Sequence, residues 1–143
     1  MSIELGMRLA RTHRLWRAAL DKALKPLGMT QSRWLTLFIL NRLGDGVSQK
    51  VLAERVGIEG PTLVRLLDSL QRQDLIERQQ DEEDKRSKRI YLTPTAKPLL
   101  EKIEYIAEEV RQDILNGMSE DQQGELQTLL QHIETNAVRI MSD

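Results

Sequence analysis

A chain of 143 residues with 21 Lys or Arg against 22 Asp or Glu, net charge −1, has room for one domain with a real core, or for a small lobe joined to an oligomerisation lobe. The absence of Cys excludes disulfides, thiolate metal sites and a cysteine-based oxidation switch, and the two His, at positions 13 and 132, stand too far apart in sequence to suggest a metal site. No apolar run approaches the ~20 residues of a membrane span, and the opening MSIELGMRLART lacks the apolar centre of a signal peptide, so the expectation is a cytoplasmic protein with no membrane partner.

The first periodic segment places Leu5, Leu9, Thr12, Trp16, Ala19, Ala23 and Leu27 at helical spacing, with Pro26 and Gly28 marking its end. A second helix can start at Ser48, whose side-chain oxygen can cap free N–H groups, and run through Val51, Leu52, Ala53 and Val56 to Gly57. A tight turn from Gly57 to Gly60 leads into a third helix, where Pro61 suits the first position because its missing N–H costs nothing there. On this helix Leu63, Leu66, Leu67 and Leu70 form one apolar stripe, while Thr62, Arg65, Ser69 and Arg72 lie opposite. One face packs and the other is free to read something. Arg can bond guanine O6 and N7 together, and Thr or Ser can reach base edges or phosphates in a major groove. An ordinary amphipathic surface helix has the same stripe, and the segment on its C-terminal side decides between the two.

Leu75 to Gln80 and Arg89 to Thr93 can pair as strands, with Ile76, Ile90 and Leu92 facing inward, around a charged tip. At the tip Asp81, Glu82, Glu83 and Asp84 precede Lys85, Arg86, Lys88 and Arg89. Four carboxylates repel phosphate unless held away from it, so a plain solvated loop competes with a functional one. If Asp84 pairs with a nearby Arg and stiffens the loop, Arg86 is presented to a narrow, electronegative minor groove. Two short helices followed by such a hairpin have the layout of a winged helix-turn-helix.

Beyond the hairpin, Leu99, Ile103, Ile106, Val110 and Ile114 recur every three or four residues up to Gly117. Pro98 conflicts with a helix begun at Pro94. Ser119 and Gln122 offer a capping box for a last helix whose Leu126, Leu129, Leu130, Ile133, Ala137 and Ile140 follow a near-heptad pattern, and Gly124 within it costs ~1 kcal/mol relative to Ala. Terminal stripes this far from a central lobe are most economically buried in a twofold homodimer, the alternative being a monomer with the helices folded back. Charge is unevenly spread: residues 1–50 hold nine basic against three acidic groups, and residues 94–143 hold four against ten. Where those ends neutralise each other, the cations left for DNA are Arg65, Arg72, Lys85, Arg86, Lys88 and Arg89, with Lys50 a further candidate.

Three stretches carry a family resemblance: RLWRAALDKALKPLGMTQSRWLTL, LAERVGIEGPTLVRLLDSLQRQDLIER and DKRSKRIYLT. Together they resemble the multiple antibiotic resistance regulator (MarR) family of bacterial transcription factors, most closely its SlyA-like branch, over nearly the whole chain. The resemblance implies a mainly α fold with a small β-hairpin wing, a winged helix-turn-helix DNA-binding lobe over 30–93, and a helical dimerisation lobe from 1–28 and 94–143. It puts the recognition helix on Gly60 to Gln73, with Gly60, Pro61, Thr62, Arg65 and Ser69 as DNA-binding candidates. The family's D-x-R wing motif falls on Asp84 and Arg86, beside Lys85, Lys88 and Arg89. One departure is Asp74, where members usually carry Gly; Asp tolerates the left-handed conformation better than most residues, so the turn can survive.

The resemblance further implies a homodimer on double-stranded DNA, reading a pseudo-palindrome with half-sites ~10 bp apart, and a small aromatic carboxylate that lowers DNA affinity. For that ligand the candidates are Arg14 and Arg17 as a carboxylate fork and Trp16, Trp34 and Phe38 as ring partners. The competing reading makes both Trp core residues and pairs Arg14 and Arg17 with the acidic C-terminal helices. A protein-docking adaptor without specific DNA binding is the alternative function. No enzyme is expected, since the chain has no phosphate-binding Gly loop, nucleophile motif or His-centred triad, and no cofactor is implied.

Overall fold

The computed structural model describes residues 2–142. Helix α1 spans Ser2–Leu24 and continues into a short 3-10 turn, Lys25–Leu27, which Gly28 ends at φ 70°. Pro26 and Gly28 therefore close the first segment as their chemistry dictates. Helix α2 (Gln31–Leu43) follows, then strand β1 (Val47–Ser48), α3 (Gln49–Val56), α4 (Gly60–Arg72), strands β2 (Ile76–Gln80) and β3 (Lys88–Leu92), α5 (Ala96–Ile114) and α6 (Glu120–Ser142). The described residues form two compact units that divide between Val110 and Arg111.

In the first unit, one core collects Leu37 and Leu40 of α2, Leu52 of α3, Leu63, Leu67 and Leu70 of α4, Ile76 and Ile90 of the sheet, and Ile103 of α5. The leucine stripe of α4 is thus the core face of the helix that precedes the hairpin. Buried Thr36 donates its hydroxyl to the Ser32 carbonyl at 2.6 Å, so its polar atom is satisfied inside the helix.

Ser48 caps α3, accepting the Val51 N–H at 3.2 Å, and Gly57 ends the helix in the left-handed region at φ 80°. Glu59 occupies the N-cap of α4, so Pro61 falls at the second helical position and Gly60 at the first; both precede any N–H with an intrahelical partner, and the tolerance for Pro is the same. The sheet has three strands where the hairpin alone predicts two, in the order β1-β3-β2 and all antiparallel. The extra strand is only Val47 and Ser48, paired with Ile90 and Arg89. Two residues are too short a run to leave an alternation in the sequence.

Asp74 adopts φ 60°, the one positive φ outside glycine among the described residues. Its carbonyl accepts the Thr93 hydroxyl, as any residue's could, and its carboxylate accepts the Thr95 hydroxyl at 3.1 Å, a contact glycine could not make at this turn. Pro98 raises no conflict, because α5 begins at Ala96 and the proline sits in a first turn whose N–H groups have no helical acceptor.

In the second unit, α6 opens with a reciprocal capping box: the Ser119 N–H donates to Gln122 Oε1 at 2.9 Å and the Gln122 N–H to Ser119 Oγ at 3.1 Å. A Cβ added at Gly124 would meet no atom within 4 Å. No described residue of α6 is buried, and Leu129, Ile133 and Ile140 are exposed.

Candidate nucleic-acid interface

Helix α4 packs on the core along its whole length, through Leu63, Leu67 and Leu70, and side-chain hydrogen bonds hold the flanks of its second half. From α2, Arg33 Nη1 donates to Ser69 Oγ at 3.2 Å. From β2, Arg78 reaches the other flank, with Nη2 on Asp68 Oδ1 at 2.6 Å and Nε on Gln71 Oε1 at 2.8 Å. Ser69 is therefore engaged by Arg33 and half-buried, a different position from the base-facing one the stripe suggested. Towards the N-terminus, Gly60, Pro61, Thr62 and Arg65 are exposed. Glu59, at the N-cap, makes no side-chain capping hydrogen bond, so the first N–H groups of α4 have no side-chain acceptor from that residue.

The wing tip is built by hydrogen bonds to itself. The Asp81 N–H donates to the Ser87 carbonyl at 3.0 Å, and the Ser87 N–H to the Asp84 carbonyl at 2.9 Å. Asp81 accepts the Glu83 N–H at 2.9 Å, Asp84 accepts the Arg86 N–H at 3.1 Å, and Gln80 donates its side-chain amide to the Lys85 carbonyl. Two of the four carboxylates are thereby turned onto backbone amides of the loop. The Glu83 amide, with the Arg89 guanidinium beside it, holds the Asp81 carboxyl below its ordinary value of 3.8.

Arg86 is left at the apex with its side chain 95% exposed and Nε 3.7 Å from Asp84. Asp84 stiffens the loop mainly through the Arg86 amide, and only weakly through the guanidinium, whose long contact in water adds little. Lys85 and Lys88 are also exposed. Arg89 differs. It is half-buried, pairs with Asp81 at 2.9 Å, and donates Nη1 to the Gly46 carbonyl at 2.8 Å, tying the base of the wing to the loop before β1. Of the six cations expected for DNA, Arg89 is the one with both an ion pair and a backbone carbonyl taking its guanidinium, while its side chain stays 43% exposed.

Between the two elements runs a groove of about 620 Å³, whose charged lining is Lys50 and Glu54 of α3, Glu59 before α4, and Arg86 and Lys88 of the wing. Three cations and two carboxylates thus line one channel beside a helix N-terminus that has no side-chain cap. Cations beside backbone N–H groups at a helix start are an arrangement that suits phosphate groups.

The ligand candidates are more scattered. Arg14 and Arg17 are exposed on α1, and Arg14 lines a groove made with Glu4, Met7, Arg8 and Arg11 of the same helix. Trp34 packs against the core with its indole N–H buried and unpartnered, and Trp16 is half-buried. One face of Phe38 is taken by the Arg42 guanidinium, 5.4 Å from the ring centroid. Sequence reasoning missed Arg33 and Arg78. The period of a strand puts Arg78 on the same face as Ile76, and Asp68 and Gln71 are one helical turn apart, so that signal was available.

The fold and this charged channel define a winged helix-turn-helix protein. A family model described as the MarR family matches residues 27–87. Transcriptional regulator PA3341 is 47% identical, with 94% of this chain and 98% of that one covered at a TM-score of 0.84. A MarR transcriptional regulator from Methanosarcina mazei Go1 is 26% identical over 95% of this chain and 97% of that one, TM-score 0.85. The same fold recurs at 21% identity and TM-score 0.81 in a cysteine-to-serine mutant of MarR from E. coli complexed with operator DNA, over 92% of this chain and 94% of that one. The chain belongs to the MarR family of transcriptional regulators. No described helix is long and apolar enough to cross a membrane.

Proposed function

We propose that the protein is a homodimeric, sequence-specific DNA-binding regulator that sets the first half of α4 in a major groove and the wing tip in the adjoining minor groove. The observation that carries this reading is the channel in which Lys50, Arg86 and Lys88 flank the open N-terminus of α4. Gly60, Pro61, Thr62 and Arg65 would meet the bases, and Arg86, Lys85 and Lys88 the minor groove and phosphates. That a MarR of the same fold is complexed with operator DNA supports DNA as the partner. The unpartnered apolar side chains of α1 (Ile3, Leu5, Met7) and of α6 (Leu129, Ile133, Ile140) support a second copy as their cover. The opposite charges of the two ends of the chain suit such an exchange. Within the family, the stretches around Arg17, Arg65 and Arg86 favour the SlyA-like branch.

Selection of genomic fragments with the purified protein at ~0.15 M salt tests the reading, with Arg65→Ala alongside. A pseudo-palindrome is expected, and Arg65→Ala should lose about 1–3 kcal/mol of preference for it over random DNA. An unchanged ratio would remove Arg65 from base reading. Failure to enrich any sequence, by a folded dimer, would turn the assignment towards a protein-docking adaptor.

Release by a small aromatic carboxylate is the finer part of the proposal, with Arg14 and Arg17 as its charge partners and Trp16 or Trp34 as its wall. Salicylate is then expected to quench Trp fluorescence in the parent protein and not in an Arg14→Ala, Arg17→Ala double variant. Quenching that persists undiminished would remove this site.

A further inference from the structure

Beyond its packed leucines, the side-chain hydrogen bonds on the flanks of α4 divide its outer surface into a clamped half and a presented half. All three clamped residues, Asp68, Ser69 and Gln71, fall in its last turns, and the proposed readers fall in its first two. Of the two clamps, the one from β2 is the stronger: one guanidinium meets an ionised carboxylate at 2.6 Å and an amide oxygen at 2.8 Å, and the Arg78 side chain is 21% exposed. Arg78 also stands opposite Ile90 in the β2–β3 register, inside the wing two pairs from Lys88, which faces Gln80. A single planar side chain therefore joins the element that would read the major groove to the element that would read the minor groove.

We infer that Arg78 is a positioning residue for DNA recognition: its fork on Asp68 and Gln71 fixes the angle between α4 and the wing, so that the two engage DNA as one rigid reader. This rests on the DNA-binding function proposed above. The helix and the base of the wing share one apolar core through Leu70, Ile76 and Ile90, and simultaneous contact with two grooves further demands a set distance and direction between them, where misplacement by an ångström is enough to lose one of the two contacts. A lysine at 78 could keep a point-charge contact with Asp68 but could not hold both partners in the plane of a fork. The arginine at this place in the strand is thus chosen for geometry.

The alternative role for Arg78, direct contact with a phosphate, predicts the opposite sign for one substitution. If Arg78 acts as a brace, Asp68→Ala lowers the preference for the selected fragment over random DNA roughly as Arg78→Ala does, and the two together lose no more than either alone. If Arg78 is a phosphate contact, Asp68→Ala frees its charge and strengthens binding to both DNAs, while Arg78→Ala flattens the salt dependence by about one counterion.

The test measures the ratio of Kd for random DNA to Kd for the selected fragment in Arg78→Ala, Arg78→Lys, Asp68→Ala and Arg78→Ala/Asp68→Ala, each with and without Arg86→Ala. Expected are a fall in the ratio of roughly tenfold in Arg78→Ala, an intermediate value in Arg78→Lys, and a much smaller effect of Arg86→Ala once Arg78 is gone. A purely structural role would lower the denaturation midpoint and leave the effect of Arg86→Ala intact, overturning the inference; so would tighter binding by Asp68→Ala. Amide exchange at Ser87 to Ile90 gives a reading without DNA, expected to quicken in Arg78→Ala. If the parent protein selects no DNA, the underlying function fails and the inference falls with it. If the parent selects DNA and Arg78→Ala keeps its ratio, only the brace fails.

Discussion

Leu67→Ala is expected to lower the unfolding free energy by about 2–5 kcal/mol, the range for removing a fully buried leucine from a packed core. Leu67 has no exposed surface and sits between Leu63 and Leu70 on the buried stripe of α4, where the helix packs with α2, α3 and the sheet. In urea the midpoint should drop with the slope unchanged, since the same surface is exposed on unfolding. DNA binding measured on the fraction still folded should be close to the parent's, because Leu67 faces away from the exposed Thr62 and Arg65. A loss below about 1 kcal/mol would mean that α4 is not anchored in this core, and the placing of its reading face would fall with it.

Arg86→Ala is expected to do the reverse: no change in the urea midpoint, and a loss of about 1–3 kcal/mol in binding to the selected fragment, with a salt dependence shallower by about one ion. The side chain is 95% exposed and its contact with Asp84 is 3.7 Å, so folding draws almost nothing from it. A cation in a narrow minor groove meets concentrated negative potential, which is where one exposed arginine has most effect. Titration by fluorescence anisotropy across salt concentrations measures both quantities. Unaltered affinity with an unaltered slope would place the wing off the DNA.

Much of the fold is legible in the sequence because it is written in local chemistry. Ser48, Gly57, Ser119 and Gln122 act at helix ends through atoms within three or four residues, and the leucines of α4 repeat at a period their helix shares. Asp74 is readable as a left-handed turn residue for the same reason. The pieces that escape are those whose meaning depends on residues far away in the chain. Arg89 looks like one more wing cation until the Gly46 carbonyl, 43 positions earlier, is seen to take its guanidinium. Ser69 looks like part of a reading face until Arg33, 36 positions away, reaches it. A side chain's charge is visible in sequence, while whether that charge is already engaged is a property of the fold.

The closure of the wing tip has a consequence for how such a protein could diversify. The bonds that shape the loop run from Asp81 and Asp84 to backbone amides and between the backbones of Asp81, Asp84 and Ser87. The side chains of Glu82, Glu83 and Lys85 take no part in them, and all three are exposed. The loop is therefore a cassette whose frame and whose outward letters are carried by different residues. Mutation can rewrite the letters one at a time, changing the charge and reach of the tip, without removing any of the hydrogen bonds that frame it.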